Sequence, residues 1–359
     1  MDNKNSKRPV KGNRSNHNSG KSTNNKGKRR KKKKTRVRPL VIITGLLYIF
    51  IFLGITTPLV LFFGPYENTR SAFISTLLAT RHAYLLTDII PQTTLDKMLG
   101  ISDSGDGENI AQDITKINVK YKTGNEITRY NINTERFDGY VLEIKNPLKV
   151  KVAMTKYLGK MGEKTSKMAE EHNAVAAING GSFVDKSSDG TLYAGTGSEP
   201  GGFVISGGKV IYPTSGTYSD NAENVVAFTK NGELIVGDHT LSELKKLNVQ
   251  EAMCFRRPNI IINGVKQVKN KMEDGLNPRT AVGQKADGTV IFLVIDGRKI
   301  NAPGASLYDV QEIMGERGAV NAGALDGGYS STMYYKGEVI NSPNAWNGER
   351  SVATSFYVE

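Results

Sequence analysis

The sequence holds a single cysteine, Cys254, among 359 residues. One thiol excludes an intramolecular disulfide and any metal site built from several cysteines. Histidine is scarce as well, with four in the chain. Neither His172 nor His239 lies in a recognisable triad context, and no Gly-x-Ser-x-Gly elbow surrounds Ser330-Ser331, so a serine hydrolase lacks its nucleophile turn. Acidic residues are nearly absent from the N-terminus. Met1 to Arg38 carries sixteen Lys or Arg against Asp2 alone, a net +15, so in a chain that totals +13 the other 321 residues carry −2. The pI near 9.5 therefore belongs to a tail of Lys, Asn, Ser and Gly too poor in apolar residues to build a core. No nucleic-acid partner is expected from it.

Charge is missing altogether from Leu40 to Phe63, 24 residues in a row. A helix of that length, rising about 1.5 Å per residue, crosses a hydrocarbon core of about 30 Å. Thr44, Thr56 and Thr57 can bond back to helix carbonyls, and Pro58 near the far end kinks the helix without preventing the crossing. The run is longer than a signal-peptide core and ends in Phe62-Phe63-Gly64-Pro65 rather than a small-x-small cleavage site, so it is expected to stay uncleaved. Arg29 to Lys34, with Arg36 and Arg38, flank it; such a flank belongs in the cytoplasm, where it also attracts anionic lipid. The expected organisation is a disordered basic cytoplasmic tail over 1–38, a transmembrane helix over 39–64, a helical stalk and polar linker over 65–113, and an extracellular domain over 114–359. The chain then sits in the cell membrane as a single-pass protein.

Glu67 to Leu99 has helical spacing, with Phe73, Leu77 and Leu78 followed by Tyr84 and Leu85, interrupted at Pro91. Ser102 to Asn109 is small, polar and acidic, the composition of a solvated linker; its spacing misses the EF-hand calcium loop. Beyond it come short β-branched or apolar runs: Tyr140–Ile144, Ala174–Ile178, Gly202–Ile205, Val225–Phe228, Ile260–Ile262, Val290–Ile295 and Ser355–Val358. Hairpin turns are expected at Ser206–Lys209, Lys230–Glu233, Asn263-Gly264 and Ala286–Thr289. Helices are few. One starts at Ser306, with Asp309 at the capping-box position and a stripe of Leu307, Val310, Ile313 and Met314, and stops at Gly318. Another covers Thr165 to His172. Strands without regular βα alternation predict an α+β domain with a mixed or antiparallel sheet.

Four segments join an apolar strand to a Gly-rich polar turn, which lets backbone approach a ligand while the strand fixes its position. They are Ala176–Phe183 (AAINGGSF), Asn277–Gly283 (NPRTAVG), Val294–Arg298 (VIDGR) and Ala324–Met333 (ALDGGYSSTM); Glu349-Arg350-Ser351-Val352-Ala353 follows them. Singly, each is a turn signal. Together and in this order, across roughly Asn173 to Glu359, they resemble the phosphodiester glycosidase family, found in the lysosomal uncovering enzyme and in bacterial exopolysaccharide-related proteins. Two positions depart from the family pattern: Tyr329 stands where a third glycine is usual, and Ser351 replaces a proline.

The resemblance implies hydrolysis of a sugar-1-phosphodiester between the anomeric carbon and the phosphate oxygen. An oxocarbenium-like state needs a carboxylate near that carbon, and the phosphate needs cations. Asp296 and Asp326 are the expected catalytic carboxylates, their roles not assignable to one or the other. Arg279 and Arg350 offer planar forks to phosphate, although structural ion pairs would also use them. Asn179, Arg298, Ser330, Ser331, Thr332 and Glu349, with backbone of Gly180, Gly327 and Gly328, complete the expected substrate contacts. Trp346 could stack on a sugar or pack on the sheet. No cofactor is required, while Asp296, Asp326 and Glu349 are the carboxylates a calcium or magnesium ion would use. The expected substrate is a phosphorylated glycan of the envelope; the competing function is a carbohydrate-binding or exopolysaccharide-assembly protein that uses the same cleft without turnover.

Overall fold

The computed structural model describes residues 39–78, 84–99, 110–185, 196–214, 220–256, 259–299, 301–345 and 348–359. The basic tail, the Ser102–Asn109 linker and Trp346 lie outside them. The chain divides into two units, Met1–Thr56 and Thr57–Glu359. The described part of the first is the beginning of helix α1, Pro39–Phe63, whose window of mean hydropathy 2.4 has no buried residue. Among the described residues it is the one helix long and apolar enough to cross a membrane.

Three short helices follow: α2 (Glu67–Leu78), α3 (Tyr84–Thr87) and α4 (Gln92–Leu99). They build a small core of their own from Ile74, Leu86, Leu95 and Leu99. Arg70 ties α2 to the end of α1 by donating to the carbonyls of Phe62 and Gly64.

The rest is strand-rich. A seven-stranded sheet runs in the order Ile127–Asn133, Asp138–Ile144, Val290–Ile295, Arg279–Lys285, Ala319–Leu325, Ile261–Ile262 and Val265–Lys266. A second sheet of five strands runs Leu234–His239, Glu223–Thr229, Val249–Cys254, Val204–Ser206 and Lys209–Tyr212, and a third runs Glu338–Val339, Met333–Tyr335, Ala176–Asn179, Thr354–Val358 and Val150–Met154. Pairing within all three is antiparallel, which resolves the expectation of a mixed or antiparallel sheet. All four expected hairpins form, and at Asn263-Gly264 both residues have positive φ (56° and 82°), as a tight two-residue turn requires.

The period-two geometry of strands explains how these sheets assemble. In Val290–Ile295 every residue is fully buried, because alternate side chains serve different cores. Val290, Phe292 and Val294 enter a core shared by all three sheets, with Phe228 and Met253 from the second and Ile178 and Phe356 from the third. Ile291, Leu293 and Ile295 face the other way, toward Val310 and Met314 of helix α7, Leu307–Glu316. The second sheet turns its outer face to Leu241 and Leu244 of α6 (Leu241–Lys246), and the third to Met168 and Ala169 of α5 (Thr165–Glu171). Three sheets thus surround one core and each carries a helix outside. α7 has the expected Ser306/Asp309 capping box.

Candidate active site

Register decides where the motifs meet. Arg279, at the start of its strand, pairs with Ile295 on one side, and Thr280 pairs with Leu325 on the other. Both neighbours run antiparallel to that strand, so they end where it begins, and Asp296 and Asp326 emerge on either side of Pro278-Arg279. Asn179 stitches this edge to the third sheet. Its Nδ2 donates to the Asp326 carbonyl at 2.6 Å, and its Oδ1 accepts from Thr280 Oγ1 (2.7 Å) and Thr332 N (3.1 Å). Asp326 N in turn donates to Gly180 O. The glycines are dictated by this closeness: a Cβ on Gly180 would stand 2.6 Å from the Thr354 carbonyl oxygen, and one on Gly327 2.7 Å from that of Pro278.

A cavity of about 330 Å³ opens beside these turns. Its charged lining comprises Arg256, Arg279, Arg298 and Arg350 with Asp274 and Asp326, an excess of positive charge suited to a phosphodiester. Gly327, Gly328, Tyr329 and Asn277 also line it. So do Leu78, Gln92 and Leu99 from the helices that follow α1.

The two expected catalytic carboxylates have different surroundings. Burial raises the Asp326 carboxyl above the usual carboxylate range, against the opposing pull of the Ser330 hydroxyl, Arg350 and Arg256. Asp296 is 4 % exposed and does not line the cavity. It accepts from Asn341 Nδ2 (2.9 Å) and Ser342 N (2.9 Å), fixing the loop after the third sheet's edge hairpin. Burial, helped by the neighbouring Asp296 carboxylate, pushes the Tyr140 phenol above its ordinary pKa and so disfavours its ionisation.

The arginines divide similarly. Arg279 makes four hydrogen bonds to protein: Nε to Ala305 O, Nη1 to the Asp274 carboxylate, and Nη2 to the carbonyls of Asp274 and Gly275. Arg256 Nη2 contacts both oxygens of Asp274 at 2.7 Å. Burial alone would raise Asp274, but Arg279 and then Arg256 hold it below the usual range. Arg298, at φ 57°, reaches Asn277 Oδ1 and lies 4.5 Å over the Tyr329 ring. That contact gives a reason for tyrosine where the family pattern has glycine: the ring supports a cation at the cavity wall. Arg350 pairs with Asp185 and lies over Phe183, and its Nε finds no hydrogen-bond partner among the described residues.

The remaining expected side chains, those of Ser330, Ser331, Thr332 and Glu349, do not line the cavity. Ser330 closes the turn Gly328–Ser330, Ser331 and Thr332 follow it, and all three are at most 1 % exposed. Glu349 accepts from Ser166 N and Oγ at the first turn of α5 and does not line the cavity. With Asp296, Asp326 and Glu349 serving different partners, the three do not form a cation site; among the described residues no three such side chains gather. Sequence reasoning missed Arg256, Asp274 and the functional placement of Asn277. The only signal for Asp274 was its Asp-Gly turn five residues before Arg279.

Known proteins resemble this chain in sequence and in fold. Over 172 residues the chain is 26 % identical to the N-acetylglucosamine-1-phosphodiester alpha-N-acetylglucosaminidase of Bos taurus, covering 46 % of this chain and 28 % of that protein. A 66-residue stretch is 39 % identical to the SPbeta prophage-derived uncharacterized protein YomE of Bacillus subtilis (strain 168), 18 % of this chain and 10 % of that one. The chain thus spans less than a third of either relative's length. Its fold matches the zebrafish N-acetylglucosamine-1-phosphodiester alpha-N-acetylglucosaminidase catalytic domain, solved auto-inhibited by its pro-peptide, with a TM-score of 0.54 at 19 % identity, covering 70 % of this chain and 92 % of that one. The family model described as phosphodiester glycosidase matches residues 172–359, just over half of the sequence and all five motifs around the cavity, and the chain belongs to that family.

Proposed function

We propose that this protein is a membrane-anchored hydrolase that cleaves the glycosyl–phosphate bond of sugar-1-phosphodiesters in an envelope or extracellular glycopolymer. The observation that carries the reading is a buried carboxylate, Asp326, lining a cavity whose other charges are mostly arginines. Arg298 and Arg350 hold the phosphate and stabilise the charge it gains as it leaves. Asp326 takes a proton from water as the water oxygen bonds to the anomeric carbon and the carbon–oxygen bond to phosphate breaks. The products are free sugar and a phosphate monoester. A carboxyl raised by burial is a stronger base than an ordinary one, which suits this role near neutral pH. Asp296, Asn179 and Arg279 act as positioning residues, holding the strand ends that present Asp326.

The second reading, a carbohydrate-binding or exopolysaccharide-assembly protein, draws on the number of cavity groups already paired with protein, Asp274, Arg256 and Arg279 among them. Turnover separates the two. The full chain in lipid nanodiscs is expected to release sugar and phosphate monoester from a panel of sugar-1-phosphodiesters, and Asp326→Asn to lose that release by a factor of about 10² or more. Glycan binding with no release by the folded wild type would leave the binding reading standing.

A further inference from the structure

The proposed chemistry uses the charged part of the cavity and leaves the helical contribution unexplained. Leu78 ends α2, Leu99 ends α4, and both line the cavity with Arg298, Asp326 and Arg350. Phe255 and Leu307 add apolar surface from the sheet side. Gln92 is the polar side chain the helices bring, and it is exposed, with its Nε2 donating to Asp96. The helices are held together by their own buried core, so the leucines are presented by a packed element rather than by a loose strand of chain.

We infer that these leucines form an apolar subsite for the group esterified to the far side of the phosphate, so that the substrate is a sugar-1-phosphodiester whose second ester carries a hydrocarbon chain. The inference rests on the glycosidase reading for its chemistry. A phosphate held by arginines has two ester arms; one carries the sugar to Asp326, and the other must leave through the remaining wall of the same cavity. A sugar or polyol arm would call for several hydroxyl partners there; the leucines offer none, and the amide nitrogen of Gln92 already donates to Asp96. In the reaction, water adds its oxygen to the anomeric carbon and its proton to Asp326, and the alkyl phosphate monoester departs with the electron pair of the broken bond.

The test compares the methyl and hexyl phosphodiesters of N-acetylglucosamine 1-phosphate, both water-soluble, with the full chain in nanodiscs. Each buried methylene adds up to about a fourfold preference, so kcat/KM for hexyl should exceed that for methyl by about tenfold or more. Gln92→Leu, at an exposed position, should increase this ratio, and Leu78→Asn should reduce it. A wild-type ratio near one overturns the inference. So does a shift of both esters by the same factor in the variants, which would make the helices a plug rather than a subsite. Should neither ester be cleaved, the glycosidase reading fails separately, and calorimetric binding decides the subsite: hexyl binding about tenfold tighter than methyl sustains it, and equal affinity removes it.

Discussion

A buried carboxylate and a buried amide carry opposite consequences for stability. Asp326 binds its proton more tightly in the folded chain than in the unfolded one, because burial outweighs Ser330 and the arginines. Its contribution to stability is therefore present below the ordinary carboxylate pKa and lost as pH rises through the raised value. Asp326→Asn should remove that loss, unfolding at neutral pH no more easily than the wild type while failing to turn over substrate. The wild-type rate should climb with pH through an inflection above the usual carboxylate range, which a pH–rate profile reads directly. Asn179 behaves in the other way. Its three hydrogen bonds join the strand ends, and Asn179→Ala strands their buried partners at a cost of about 1–3 kcal/mol each before relaxation. Denaturant unfolding should show a loss of about 3 kcal/mol or more. Asp296→Asn, which leaves one acceptor where the carboxylate serves Asn341 and Ser342, should likewise lower stability, by about 1–3 kcal/mol. If it instead removed turnover at unchanged stability, Asp296 would belong in the chemistry and not behind it. The residue types at the site were legible in the sequence, but which of them are already paired with protein was not. Arg279 reads as a phosphate clamp until Asp274, turned back by a φ of 60°, is seen to occupy it.

Elements were readable where local signal and burial agree. Val290–Ile295 is an apolar run long enough for a strand and too short for a helix, and α7 announces itself by cap and stripe. The opposite case is α6, whose Thr240/Glu243 capping box stands in the sequence before a helix of six residues, too short for periodicity to register. Ala319–Leu325 is more instructive still. Its composition, Ala-Val-Asn-Ala-Gly-Ala-Leu, has little strand propensity, yet it pairs with Arg279–Lys285 along most of its length. Packing supplies the reason. A Cβ on Gly323 would lie 2.7 Å from Val226 Cγ2 and 3.1 Å from Val236 Cγ1, so small residues are what let the second sheet approach this strand. Gly323→Ala should then overpack the shared core and cost about 1–3 kcal/mol, measured by chemical denaturation. An unchanged midpoint would mean that the two sheets separate without penalty. Because Asp326 follows this strand directly, the same variant should also weaken catalysis.

At the scale of the whole molecule, the order of segments along the chain fits a site placed outside a membrane. α1 is 25 residues long, about 37 Å at the helical rise, and exposes apolar side chains all round, which water does not favour and a bilayer does. A strongly basic block precedes it, and the family domain follows. In the proposed single-pass arrangement the positive flank would hold the N-terminus on the cytoplasmic side, and everything after Phe63 would be delivered outward. The helices α2 to α4 come next, so the segment that lines the cavity is also the one nearest the span in sequence. Two measurements bear on this arrangement. The protein should remain in the membrane pellet after alkaline carbonate extraction, and protease added to intact cells should digest the Thr57–Glu359 unit while sparing an N-terminal tag. Replacing Arg29–Lys34, Arg36 and Arg38 by Ser and Glu should weaken that orientation, exposing the tag in a fraction of molecules. Release of a shortened domain into the medium would instead identify α1 as a cleaved leader, and the catalytic unit would then meet its substrate free of the bilayer.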